Sequence, residues 1–289
     1  MSTSERADTA RFKEHIRAEW TEEATIAAWR RWHPQLAIAS RGATGAIVEA
    51  ARVKPGMPVL DLASGTGEPA LTLARAVGPA GHVTATDLGP GMLKAAEENA
   101  KQAGLTNLTF READAHQLPF PDESFDRVTC RFGVYYFADG GQALREIRRV
   151  LRPGGLAALT ALGPLERNPL SLSFLEPFLK RVAVPPPPPG APHPFKFAEQ
   201  GSLARELERA GFRQVEEEFR TITWAWPGPP DEFWQHLREV SAPFHPIMDS
   251  LAPDQWQQAA SEVVAGLGRY YDGQCVSAPA LIVVASGAR

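Results

Sequence analysis

Cysteine is nearly absent from this chain: only Cys130 and Cys275 occur in 289 residues. That scarcity excludes a disulfide framework and any cysteine-based metal cluster, and leaves two free thiols. Charge of one sign is lacking too. Thirty Lys and Arg stand against 34 Asp and Glu, a net charge of −4 with a pI near 6.0. Such a balance lacks the general electrostatic footprint for a phosphate backbone. The longest clean apolar run, ALIVVA (280–285), is far too short to span a bilayer. The first fifteen residues are charged, with no apolar stretch of the secretory kind. Together these features predict a cytoplasmic protein without an integral membrane segment. The hydrophobic content of 44% is enough for a full core, in one large domain or a domain of roughly 200 residues with an added cap.

What the chain does have is concentrated in VLDLASGTGEPA, residues 59–70. Val59, Leu60 and Leu62 are strand formers, Gly65 and Gly67 permit a sharp turn close to a ligand, and a helix follows. Asp61 lies inside the strand, where an unpaired charge is costly. A ligand carrying amino or positively charged groups gives it a reason to be there. A second strand, HVTATD, ends in Asp87, 20 residues after Gly67. That offset brings a carboxylate beside the glycine turn of an α/β fold, where it can accept both hydroxyls of a ribose. A third strand, LTFREAD (108–114), ends in Asp114 followed by Ala115.

Gly65-x-Gly67-x-x-Ala70 also satisfies the loose dinucleotide fingerprint, so an NAD(P)-dependent oxidoreductase is the alternative, with a cofactor-binding protein without turnover as a third possibility. A dinucleotide gives no role to Asp61. LPFPDESFDRVTC (118–130) and LREIRRVLRPGG (144–155) then follow in order. With DLASGTG, VTATD and the Asp114-Ala115 pair, these segments resemble a class I S-adenosylmethionine-dependent methyltransferase of the type 11, UbiE/COQ5-like kind, over roughly residues 55–165. The resemblance implies that Gly65, Thr66 and Gly67 line the methionine part of the cofactor and that Asp61 faces its amino group. Asp87 holds the ribose, Leu88 and Met92 flank the adenine, Asp114 and Ala115 meet its edge, and Arg131 lies near the amino acid portion. The segment after the fourth strand reads FGVYYF instead of the FG-x-RN of the ubiquinone-pathway enzymes, so a quinone substrate does not carry over. It also lacks the Asn/Asp-Pro-Pro-aromatic clamp of nucleic-acid amino methyltransferases.

The alternation of strands near 57–63, 82–87, 108–113, 125–131 and 156–162 with helices near 67–77, 90–103 and 139–151 implies a doubly wound, Rossmann-like α/β sheet covered on both faces. By resemblance the sheet has seven strands, mostly parallel with one antiparallel. Its last strands fall at 215–226 and 279–287. A helix over 9–31, ended or kinked by Pro34, and one over 43–52 precede this core. Further helices are expected at 169–183, 200–210, 231–240 and 252–267. The division is an N-terminal helical cap (1–53), a cofactor-binding core (54–163) and a remainder (164–289), with lid insertions at about 164–198 and 227–278. The proline run 185–194 reads as an extended connection.

The cofactor's methyl group is already activated, so the protein must align a nucleophile and exclude water, and for a phenol or carbon acid also take a proton. His33, His245 and Tyr135 are the catalytic candidates. No metal is implied. The aromatics between 174 and 271, among them Phe174, Trp224, Phe233 and Phe244, serve the lid's own core or an apolar pocket. The expected partner is a small apolar or aromatic methyl acceptor, taking the methyl on oxygen or carbon and less readily on nitrogen.

Overall fold

Short runs of β-branched and aliphatic residues build the centre of the molecule. The computed structural model describes residues 3–185, 187–188 and 191–289. Strands β1 (Pro58–Leu62), β2 (His82–Asp87), β3 (Leu108–Glu112), β4 (Phe125–Arg131), β5 (Leu151–Leu162), β6 (Arg213–Trp226) and β7 (Val276–Ala288) form one sheet, ordered β3-β2-β1-β4-β5-β7-β6. β7 runs antiparallel to both its neighbours, and the other pairs are parallel. This is the doubly wound, seven-stranded arrangement with one antiparallel strand that the sequence predicts. Chain order reverses between β1 and β4, and ligands bind at the carboxyl ends of strands flanking such a switch point. The register levels those ends, pairing Leu62 with Thr86 and Cys130, and Asp87 with Glu112.

Helices cover both faces. α3 (Arg41–Ala50) and α4 (Ala70–Val77) share one, where Val59, Val83 and Ala158 are fully buried. α6 (Gly140–Val150) and α8 (Ser202–Arg209) share the other, over Leu60, Val128 and Ala157. In α6 the buried stripe is Ala143, Leu144, Ile147 and Val150. Of its arginines, Arg149 does more than solvate a face. Its guanidinium donates to the carbonyls of Phe120 (2.8 Å) and Leu118 (2.9 Å) and fixes the 118–122 loop.

Four boundaries differ from the sequence reading. The segment expected as one helix over 9–31 is two, α1 (Thr3–Thr21) and α2 (Glu23–Ala39), parted at the extended Glu22. Thr21 bonds back to the Arg17 carbonyl at 2.7 Å, and the acidic Glu22-Glu23 pair suits a new helix start. Pro34 lies inside α2 instead of ending it. α4 begins at Ala70, three residues later than expected, because the glycine turn continues through Pro69. β5 begins at Leu151 and contains Arg152–Gly155 as an irregularity opposite Phe125 and Arg127. Gly154 adopts φ +76°, and a Cβ on Gly155 would lie 2.8 Å from the Arg152 carbonyl oxygen.

α5 (Pro90–Gln102) lies beside β3, and beyond β5 the chain adds α7 (Pro169–Leu179), α9 (Pro230–Val240), α10 (His245–Asp249) and α11 (Pro253–Gly268). α10 is not anticipated by the sequence reading. α7, α9 and α11 pack on α2 and the β6–β7 end of the sheet around Phe178, Trp226, Phe233 and Trp234. Trp226 is fully buried, stacked on Phe233 at 5.0 Å and 12°. Of the proline run 185–194, residues 186, 189 and 190 lie outside the described residues. Among the described residues no helix is long and apolar enough to cross a membrane.

Trp226→Ala removes the centre of this second core. It is expected to lower unfolding free energy by about 3–5 kcal/mol, the cost of truncating a buried aromatic. Urea denaturation checks the value, and a loss below about 1 kcal/mol would show that the helical addition does not depend on it.

Candidate active site

A cavity of about 670 Å³ opens at the carboxyl ends of β1, β2 and β4, closed above by α1, α2, α7 and α9. Its floor is the turn after β1. Ala63 and Gly65 take left-handed φ values of +53° and +52°, and Gly67 takes +125°. The turn is held from three sides. Ser64 N–H donates to the Thr86 carbonyl (2.9 Å), Asn99 of α5 donates to the Thr66 carbonyl (2.9 Å), and His33 Nδ1 meets Thr66 Oγ1 at 2.8 Å.

Asp87 is the hinge of this floor. Gly65 N–H donates to its Oδ2 and Gly89 N–H to its Oδ1, each at 2.9 Å. Both carboxylate oxygens are thus oriented by backbone groups from two different loops, and each keeps a lone pair. Burial raises its pKa, against the pull of those N–H donors.

Asp61 behaves differently. It is completely buried and does not line the cavity. Thr129 Oγ1 donates to Oδ1 at 2.6 Å and Ser64 Oγ to Oδ2 at 2.7 Å. It lies behind the turn and holds Ser64, so a ligand's amino group would reach it only through water or the turn itself. Burial pushes its pKa up to about 7, although the hydroxyl donors and the Arg131 charge oppose the rise.

Arg131, half-buried at the end of β4, lines the cavity. Its Nη1 donates to Ser40 Oγ and Thr44 Oγ1, both at 2.7 Å, and Nη2 donates to the Glu68 carbonyl at 2.9 Å. Its Nε is buried with no hydrogen-bond partner among the described residues. Asp114 is set by His116. The Asp139 N–H donates to His116 Nε2 at 3.1 Å, which puts the ring proton on Nδ1, and Nδ1–H donates to Asp114 Oδ1 at 2.5 Å. Burial works to raise the Asp114 pKa, but the His116 ring and backbone N–H bonds prevail and hold it at about 2.

The cavity thus brings together Gly65, Thr66, Asp87, Leu88, Asp114, Ala115 and Arg131, with His33 and Tyr135. It does not bring Gly67, Met92 or His245 to its surface. Gly67 packs on Leu71, Met92 is fully buried beneath Gly89, and His245 Nε2 donates to the Arg238 carbonyl at 2.8 Å, away from the chamber. Burial, then the Arg131 charge, lowers the His33 pKa. Burial also raises that of Tyr135, which makes it a hydrogen-bond donor and not a base. Phe174, Phe195, Trp224, Phe233 and Phe244 line the chamber, whereas Phe178, Trp226, Trp234 and Trp256 belong to the helical core. Both readings of the aromatics hold at once. Sequence reasoning passed over His116, Glu68 and Ser40. The Asp-x-His spacing of 114 and 116 was the one available signal among them.

Residues 59–155 match the model of the methyltransferase domain family. The demethylmenaquinone methyltransferase of Listeria welshimeri is 46% identical over 107 residues, 37% of this chain and 45% of that protein. The ubiquinone/menaquinone biosynthesis C-methyltransferase UbiE of Bordetella avium is 46% identical over 105 residues, 36% of this chain and 41% of that protein. Residues 59–155 thus match a methyltransferase domain, and the same stretch is similar to the UbiE-like C-methyltransferases. A putative methyltransferase from Bacillus halodurans shares the fold, with a TM-score of 0.54, 22% identity, and coverage of 85% of this chain and 97% of that one. The chain thus spans less than half the length of the two curated relatives it matches. The domain model ends at Gly155, before the helices that carry Phe174, Phe233 and His236.

The cofactor of such a domain is S-adenosylmethionine, and the residues present fit it. Arg131 keeps an unpartnered buried Nε–H suited to a carboxylate, and Asp87 keeps oriented lone pairs suited to hydroxyls.

The raised Asp61 pKa sets a pH dependence. From about pH 4 to 7 the unfolded state has released this proton and the folded state still holds it, so stability falls as pH rises through that window. In Asp61→Asn the decline is expected to be shallower than in the parent by up to about 1.4 kcal/mol per pH unit. Equilibrium unfolding at half-unit steps measures the slopes, and identical slopes would place the Asp61 proton elsewhere.

Proposed function

We propose that this chain transfers a methyl group from S-adenosylmethionine to oxygen or carbon, and less readily nitrogen, of a small apolar or aromatic molecule. The observation that carries the reading is that Asp87, Arg131 and Asp114 share one chamber with Tyr135, Phe174 and Phe233. S-adenosylmethionine supplies a methyl group activated by its sulfonium.

The chain's own residues do the rest. Asp87, held by two backbone N–H groups, accepts the ribose hydroxyls. Asp114 offers Oδ2 to the adenine amino group while His116 occupies Oδ1. Leu88 and Ala115 flank the base, and Gly65 and Thr66 leave room for the methionine part. Arg131 takes the carboxylate, and Asp61 stabilises the turn from behind. The aromatic walls exclude water and orient the acceptor for in-line displacement. Tyr135 donates a hydrogen bond to it. His33, neutral at physiological pH, is the base nearest the glycine turn. His245 has no part.

The division into a cap (1–53), a cofactor core (54–163) and a remainder with lid segments belongs to this reading. So do a small-molecule partner, rather than nucleic acid, and a cytoplasmic setting. Two relatives are named for quinone methylation, but the shared stretch is 107 residues or fewer, so the proposal stays with the chemistry of the chamber.

Calorimetry tests the reading. S-adenosylhomocysteine is expected to bind with micromolar Kd and NAD not at all. Asp87→Ala is expected to weaken binding by about 1.5–3 kcal/mol, the scale of hydrogen bonds to a charged group, or roughly ten- to a hundred-fold in Kd. NAD binding in place of the homocysteine compound would reject the reading, and an unchanged Kd in Asp87→Ala would remove that residue from the ribose.

A further inference from the structure

The wall contributed by α9 carries a polar group that the cofactor side does not use. His236 lines the chamber and is only 3% exposed. Its ring stacks on Trp226 with centroids 4.4 Å apart at 28°, and lies 6.0 Å from Phe233. Trp32 meets it edge-on at 5.8 Å. Nδ1 is buried with no hydrogen-bond partner among the described residues. Nε2 also lacks a partner among the described residues and is not sealed off as Nδ1 is, which leaves it the ring nitrogen open to a ligand.

An imidazole packed among indole and phenyl rings is neutral, its pKa lowered by burial to about 3. A neutral ring carries one N–H and one lone pair. Were the proton on Nδ1, a donor would be stranded in dry protein, and orphaned buried N–H groups are rarer than under-satisfied acceptors. The proton therefore belongs on Nε2, with the unfilled lone pair left at Nδ1. The chamber then holds a fixed N–H donor on an otherwise aromatic wall. Such a site discriminates strongly, because a ligand without an acceptor leaves the donor dry.

We propose that His236 is a specificity-determining residue whose Nε2–H donates to an oxygen, carbonyl or hydroxyl, of an otherwise aromatic or apolar ligand. The inference rests on the function proposed above, in that this ligand is the methyl acceptor. It selects oxygenated aromatics, such as phenols and aryl ketones, over hydrocarbons of the same shape.

A matched pair of probes tests it: 2-acetylnaphthalene and 2-isopropenylnaphthalene differ in one C=O against one C=CH2. Equilibrium dialysis is run on the full chain with S-adenosylhomocysteine bound. The ratio of the two affinities is expected to fall about ten-fold in His236→Phe, the size of one neutral hydrogen bond. Hydrocarbon binding and S-adenosylhomocysteine affinity should be retained, and His236→Gln should restore part of the preference. Nitrogen-15 spectra of the parent are expected to show the Nε2–H tautomer, a readout independent of any variant's folding. An unchanged ratio, no binding of either probe to the parent, or an Nδ1–H tautomer overturns the proposal. Failure of S-adenosylhomocysteine itself to bind would instead count against the methyltransferase reading.

Discussion

The carboxylate of Asp87 is the constraint on which the site depends. It accepts an N–H from Gly65 in the turn after β1 and another from Gly89 at the start of α5. Two loops from neighbouring βα units are thereby fixed to one side chain, beside the topological switch point between β1 and β4. Hydrogen bonds to a charged group are stronger than neutral ones, and they orient the oxygens before any ligand arrives. The turn itself needs this support, because Ala63 occupies a left-handed conformation that a non-glycine residue adopts only at a cost.

Around that floor the electrostatics is layered. Asp61 and Thr129 lie beneath the turn, Arg131 fills its side, and Ser40 and Thr44 of the N-terminal helices hold Arg131 from above. The cap and the sheet therefore meet at the half-buried guanidinium of Arg131, which ties the geometry of the cavity to the docking of α2 and α3. The helical addition contributes the opposite kind of surface. Its aromatic core stabilises α7, α9 and α11 against the sheet, while Phe174 and Phe233 of the same cluster, with His236 beside them, line the chamber.

Much of this was legible in the residue pattern. Strand formers before the glycine turn marked β1, alternation with helices placed β2 and β4, and acidic strand ends located Asp87 and Asp114 on one rim. Helix starts inside a charged stretch were harder. The break at Glu22 was written in Thr21-Glu22-Glu23 but masked by helical periodicity on both sides. Pro34 remains inside α2, so a proline alone did not fix an end. Spacing also could not tell a floor residue from a lining one. Asp61, Gly67 and Met92 belong to the motif yet lie below the surface, because their partners Thr129, Leu71 and Gly89 take them inward. The Arg131 contacts span 91 and 87 residues of chain, and no local pattern announces them. His236 was invisible for the same reason, since only folding brings Trp32 and Trp226 to it.

A crystal structure of the chain with S-adenosylhomocysteine tests the central claim most directly. The account predicts both ribose hydroxyls within hydrogen-bonding distance of the Asp87 oxygens, the amino acid carboxylate at Arg131, and the sulfur facing the aromatic chamber. A ligand bound with its ribose away from Asp87, while Gly65 and Gly89 still hold that carboxylate, would contradict it.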